Sequence, residues 1–401
     1  MNAPPPVSTS PTIQLLDRIY QHIHRQPVDG EVGLLSGQMG YALLEAYANR
    51  FFGQTDDSRI WERLSASLEA VQQGGLSHSF ADGMAGVAWG FLHLCNHGLV
   101  QTDDLDAQDV VADLDEALFE LSLEPLQNGD YDYLHGGLSA GLYFLERQPN
   151  PAIARYVEHL VETLNKTALR FPNGDITWPF TDFGRRKPGD PIRYNPGLSH
   201  GTASIASLLS LFYERGYARA RCAELIRGTL QWIWNTRNRS GLSVFPTLVS
   251  DPRTDQDSRL SWCYGDMGIA SAFALCGLKF GHQPWQSIAY ETMRKAAQRR
   301  EPADTNVYDA GFCHGSAGLA YLFRRLARPM ANPVLAEAAD YWMQQTLAFA
   351  LPDTDENVLL AYDSGNHFPN LGLLDGESSV GLVLLAELGG PPSWERFLLL
   401  A

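Results

Sequence analysis

The chain has 401 residues and a formal net charge of −16, from 30 Lys and Arg against 46 Asp and Glu. So acidic a surface repels phosphate backbones and excludes nucleic acid as a partner, while tolerating a basic or neutral peptide. Hydrophobic residues at 45% and aromatics at 11% argue for a large core and against disorder.

The N-terminus, MNAPPPVSTSPT, lacks the basic start and apolar stretch of a signal peptide. Residues 1–12 read as a disordered lead-in to one domain over 13–401, and a cytoplasmic location is expected. No run of about 18 apolar residues follows, so no membrane span is expected.

One element then recurs seven times: a glycine turn opening an apolar, Ala/Leu-rich helix. The copies are SGQMGYALLEAY, DGMAGVAWGFLHL, HGGLSAGLYFLER, HGTASIASLLSLF, YGDMGIASAFALC, HGSAGLAYLFRRL and DGESSVGLVLLAEL. Their leading glycines are Gly37, Gly83, Gly136, Gly201, Gly265, Gly315 and Gly376. Between them lie amphipathic stretches such as IARYVEHLVETLNKTALR, with apolar residues at three- and four-residue intervals. Each unit is therefore a helix pair, one helix buried and one outside. The last copy is as apolar as the middle ones, whereas an open solenoid wants polar caps. The predicted fold is all-α, an α/α toroid of about seven helix pairs in two concentric layers. The inner helix N-termini should converge at one end of the ring, offering free N–H groups. Two polar, Pro/Gly-rich stretches, before the fourth and fifth turns, read as long loops walling the mouth.

Five cysteines, an odd number, argue against a disulfide framework. Cys95, Cys222 and Cys276 sit in apolar helical contexts and read as small core residues. Cys263 and Cys313 differ, because they stand in the fifth and sixth turns (RLSWCYGDMG, AGFCHGSAG). His314 follows Cys313, and His200 precedes the fourth glycine. If the turns converge, Cys263, Cys313 and His314 meet as zinc ligands with one position open, the pattern of a catalytic site. His200 is the one nearby candidate for a fourth, closing ligand. Zinc with two thiolates and an imidazole is about neutral overall. It suits the activation of an incoming thiol better than hydrolysis, because coordination depresses a thiol's pKa. Asp132 precedes the third turn and reads equally as a helix cap. Arg259, Trp262 and Tyr264 surround Cys263, the two aromatics reading equally as packing residues.

The motifs SWCYG at 261–265, FCHGSAG at 312–318 and GLSHG at 197–201 resemble the signatures of lanthionine synthetase C-like cyclases. The outlying turns LLSGQMG, FADGMAGVAWG, YDYLHGGL and LLDGESSVGL match as well. The resemblance covers roughly residues 30–390. It implies a toroid with a central Zn2+ held by Cys263, Cys313 and His314. It also implies an activity: joining a peptide cysteine to dehydroalanine or dehydrobutyrine to form (methyl)lanthionine. His200 and Asp132 would be its acid/base residues, with Arg259 and Tyr264 in support. The partners implied are a dehydrated precursor peptide and a separate dehydratase, since the ring consumes the chain. Three other readings remain open: a protein adding or binding a small thiol such as glutathione, a toroid glycosidase recruiting Asp132, Asp182 and Asp375, and a non-catalytic peptide scaffold.

Overall fold

Each repeated turn feeds a helix into an inner ring, and an amphipathic helix outside covers it. The computed structural model describes residues 10–102, 105–182, 189–250, 255–353 and 356–401. The expected lead-in falls, for residues 1–9, outside those described. Ser10 already caps the first helix, accepting from the N–H of Ile13.

In chain order the outer α1 (Pro11–Arg25) precedes the inner α2 (Gln38–Phe52), and α3 (Ser58–Gln73) precedes α4 (Met84–Asn96). After the single-turn α5 (Ala107–Val110) come α6 (Leu114–Gln127) outside and α7 (Gly141–Glu146) inside. Then follow α8 (Pro151–Thr167) with α9 (Thr202–Arg215), and α10 (Arg219–Asn235) with α11 (Asp266–Lys279). Last are α12 (Gln283–Ala296), the short α13 (Pro302–Thr305), α14 (Ser316–Met330), α15 (Pro333–Ala348) and α16 (Glu377–Glu387). The inner helices touch in sequence, α2–α4–α7–α9–α11–α14–α16, and α16 returns to α2 and α1. The predicted double ring is therefore closed.

Composition separates the layers. Inner α4 is buried continuously from Ala85 to Leu94, while outer α1 buries only Leu15, Leu16, Ile19, Tyr20 and Ile23, one helical stripe. Several outer helices open on a side-chain cap followed by proline, as at Asn150–Pro151 and Asn332–Pro333.

Inner helices start differently, and this corrects one expectation. In the first, second, fourth, sixth and seventh turns, N–H groups at the helix start are taken by the turn itself rather than left free. Ser316, Ala317 and Gly318 donate to the carbonyls of Asp309, Ala310 and Gly311, and Glu377, Ser378 and Ser379 donate to Asn370, Leu371 and Gly372. The third turn also differs from expectation, because its helix begins at Gly141, five residues beyond Gly136.

The two long loops before the fourth and fifth turns carry short strands. One hairpin pairs β1 (Leu169–Arg170) with β2 (Ile176–Thr177). The loops are tied to each other by β3 (Arg193–Tyr194) against β4 (Val249–Ser250). A third pair, β5 (Ala361–Asp363) with β6 (Asn366–Phe368), precedes the last turn.

The C-terminal 3-10 segment Ser393–Leu398 enters the ring from below. Trp394, Phe397 and Leu398 are buried. Phe397 and Leu398 offer their carbonyls to Tyr133 Oη (3.4 Å) and Trp262 Nε1 (3.1 Å). This tail floors the hollow beneath the turns.

Candidate metal centre

Backbone hydrogen bonds draw the turns together. Leu35 N donates to Ala81 O (2.9 Å), Ala81 N to Leu134 O (3.0 Å), and Ser199 N to Cys263 O (3.2 Å). Trp262 N donates to Cys313 O (2.8 Å), Cys313 N to Leu374 O (3.0 Å), and Leu373 N to Leu35 O (2.7 Å). Each acceptor stands two residues before a repeated glycine. Both Cys263 and Cys313 occupy that position.

The residue directly before each glycine forms a second ring: Ser36, Asp82, His135, His200, Tyr264, His314 and Asp375. Neighbours in it meet. Ser36 Oγ lies 3.0 Å from Asp82 Oδ2, and the His135 ring stacks on His200 at 5.7 Å. The His200 and Tyr264 rings lie 6.3 Å apart, and His314 Nδ1 is 3.4 Å from Asp375 Oδ1.

The fifth turn is the exception in backbone shape. Gly265 has φ +75° and ψ −149°, and a Cβ there would collide with the Ser258 side chain. Only glycine fits. Six residues before five of the other glycines, Ser77, Asp130, Asn195, Asp309 and Asn370 each accept from the N–H two residues on. In the fifth turn that place belongs to Arg259.

The three expected metal ligands come together. Cys263 Sγ, Cys313 Sγ and a ring nitrogen of His314 all lie within 4.8 Å of one another. Both cysteines are buried, at 6% and 8% exposure. Hydrogen bonds from Cys313 and His314 pull the Cys263 thiol well below its ordinary range, while the hydrogen bond to Cys263, then burial and the Cys263 charge, push Cys313 up. Burial disfavours the charged His314 imidazole, yet Cys263 and Asp375 raise it overall. Two facing sulfurs competing for one proton, beside an imidazole backed by a carboxylate, fit a borderline-soft dication.

The remaining expected residues rim this cluster. Asp132 Oδ2 lies 2.6 Å from His200 Nδ1, and Asp132 Oδ1 accepts from the N–H of Leu134 (2.8 Å) and His135 (3.1 Å). Asp132 is thus a local cap and a partner of His200 at once. Arg259 Nη2 donates to Asn306 O at 2.9 Å, and its charge lowers Cys313, His314 and Asp375. Burial, then the charges of Cys263, Cys313 and Asp132, push Tyr264 up to about 12, so its hydroxyl keeps its proton. Trp262, 1% exposed, is a packing residue. The three carboxylates of the glycosidase reading have basic partners instead of one another: Asp132 His200, Asp375 His314, and Asp182 Arg193 at 2.8 Å.

Residues 29–399 match the family described as "Lanthionine synthetase C-like protein". The chain belongs to the lanthionine synthetase C-like family. Nisin biosynthesis protein NisC of Lactococcus lactis subsp. lactis is 23% identical over 329 residues, 74% of this chain and 75% of that protein. The solved structure titled nisin cyclase superposes with a TM-score of 0.69 at 17% identity, covering 97% of this chain and 96% of that one. A family 105 glycoside hydrolase from C. acetobutylicum ATCC 824 reaches a TM-score of 0.44 at 10% identity, covering 93% of this chain and 97% of that one. No helix among the described residues of this family member is long and apolar enough to cross a membrane.

Two residues at the site lay outside the set that the cyclase resemblance implied: His135, which the sequence reading did not single out, and Asp375, which it named only as a glycosidase carboxylate. The signal for both was available. Each stands directly before a repeated glycine, the position that also holds His200, Tyr264 and His314.

Proposed function

We propose that this chain is a zinc-dependent lanthipeptide cyclase of the cytoplasm. It adds cysteine thiols of a dehydrated precursor peptide across dehydroalanine or dehydrobutyrine, which a separate dehydratase has formed. The observation that carries the reading is the convergence of Cys263, Cys313 and His314 within 4.8 Å on the turns of this family's toroid. We take the single ring over 13–401 as the unit that does this.

A zinc ion held by those three residues would supply an acidified fourth position, where an incoming thiol gives up its proton at neutral pH. Formation of the C–S bond at Cβ sends the π pair of the dehydro residue onto its carbonyl oxygen as an enolate. A proton must then reach Cα. Asp132 holds Nδ1 of His200, so Nε2 is the atom that exchanges protons with substrate. The Arg259 guanidinium and the Tyr264 hydroxyl supply positive charge and a donor for the enolate oxygen. Net, the thiol hydrogen is transferred to Cα and the sulfur to Cβ, so atoms balance without a further reactant.

The test is loss of peptide thiol, followed by alkylation and mass measurement, when the zinc-loaded chain meets a dehydrated cysteine-containing peptide. Cyclisation faster than in the enzyme-free control, abolished with zinc content in Cys263→Ala, is expected. Thiols persisting at the control rate would refute the reading. Consumption of glutathione in place of the peptide thiol would assign the same site to small-thiol addition.

A further inference from the structure

A second cluster of metal-binding type lies at the far ends of the inner helices. His93 and His97 stand four residues apart, in the last turn and at the C-cap of α4, with ring centroids 4.4 Å apart. Glu146, the last residue of α7, completes the group: one carboxylate oxygen and one nitrogen of each imidazole lie within 4.8 Å of one another. His93 is fully buried, and its Nε2 meets the Tyr47 hydroxyl at 2.8 Å. Its Nδ1 has no hydrogen-bond partner and faces Glu146 Oε1 at 3.9 Å. That is too long for a hydrogen bond, and a buried polar nitrogen is rarely left so.

The groups around this orphaned nitrogen are already held. Glu146 Oε2 accepts from Arg396 (3.1 Å) and Oε1 from Asn96 (3.2 Å). Tyr47 and Arg396 thus hold the imidazole and the carboxylate from behind, as the outer partners of metal ligands do. Burial keeps the His93 imidazole uncharged, helped by His97 and Arg396; neutral imidazole is the ligating form.

We propose that His93, His97 and Glu146 form a second site, free of thiolate, for a divalent transition metal of the zinc class. Two imidazoles four residues apart on a helix and one carboxylate are a donor set that zinc accepts with one position to spare. His97 is exposed and gives the ion its way in. Arg396 belongs to the 3-10 segment that floors the hollow, so a cation here braces α4, α7 and that floor together.

The experiment is zinc counting on the full chain, after stripping with a chelator and equilibration with buffered zinc. Wild type should hold two zinc ions, His97→Ala one, and Cys263→Ala/Cys313→Ala one. Cobalt bound to that double-cysteine variant should give ligand-field bands without thiolate charge transfer, and lose them when His97→Ala is added. Wild type holding a single zinc that His97→Ala removes would support this site and refute the thiolate centre. A zinc content that His97→Ala leaves unchanged would overturn the proposal, as would a double-cysteine variant that takes up neither metal.

Discussion

Asp132 Oδ2 lies 2.6 Å from His200 Nδ1, and this contact bridges the third and fourth turns of the ring. The other oxygen of Asp132 is held by two backbone N–H groups at 2.8 and 3.1 Å. The carboxylate therefore cannot swing away, and it fixes the tautomer and the direction of the imidazole. The result is an oriented proton carrier on the rim of the two-cysteine, one-histidine cluster.

Removing the imidazole should leave the metal in place and stop the protonation step. His200→Ala is expected to lower the cyclisation rate by about 10²–10⁴-fold with zinc content unchanged. Asp132→Asn offers an amide to Nδ1 and favours the wrong tautomer, for a loss of about 10²-fold. Because the two act as one unit, the double variant should be no slower than His200→Ala alone. Additive losses, measured by thiol consumption, would show that they act separately.

The ring was legible because seven glycine turns recur with apolar helices behind them, and Cys263 and Cys313 were legible because they share one position in that repeat. The turn-internal bonds were not. Ser77, Asp130, Asn195, Asp309 and Asn370 look like unremarked loop residues until their shared offset of six from the glycine is noticed, and no helical or strand period reports such an offset. Nor was the floor legible. PPSWERFLLLA reads as a tail, and its burial depends on a hollow built by residues more than a hundred positions away, such as Tyr133 and Trp262. The pairing of His314 with Asp375 was hidden for a similar reason, since it requires the sixth and seventh turns to be neighbours.

The five cysteines should differ sharply in reactivity. Burial pushes Cys222 and Cys276 up to about 12 and Cys95 up to about 11, whereas Cys263 is pulled well below the ordinary thiol range. The thiolate is the nucleophile, so in metal-stripped protein iodoacetamide should modify Cys263 first at neutral pH. Added zinc should protect it. Peptide mapping in which Cys95, Cys222 or Cys276 reacts ahead of Cys263 would show that Cys263 does not hold the more acidic thiol.

Gly265 should be far less replaceable than Gly53, a second glycine of positive φ. Its φ of +75° and ψ of −149° lie in a region open essentially to glycine alone, and a Cβ would strike Ser258. Gly265→Ala should cost about 3 kcal/mol in urea unfolding. Gly53→Ala, at φ +69° with open space around it, should cost about 1 kcal/mol. Cys263 lies two residues away, so the first substitution should also weaken zinc binding, and the second should not. Equal costs at the two positions would show that the fifth turn relaxes.

His93 should make the zinc-free protein sensitive to mild acid. Its imidazole is buried, and that burial, with His97 and Arg396 nearby, holds it well below the ordinary histidine range of about 6.5. Tyr47, Trp89 and Glu146 are its other neighbours. The unfolded chain takes up a proton near pH 6.5, while the folded chain does not. The contribution to stability is therefore complete above that pH and falls by about 1.4 kcal/mol per pH unit below it, until the folded imidazole titrates. Asp266 and Asp375, each pushed up to about 6 by burial, act in the opposite sense between pH 3.8 and 6. Both remain in His93→Gln, so subtracting the variant's unfolding free energies from those of wild type isolates the histidine. The difference should shrink steadily as pH falls from 6.5 to 5, and a difference that stays constant over that range would mean that His93 is protonated in the folded protein as readily as in the unfolded one.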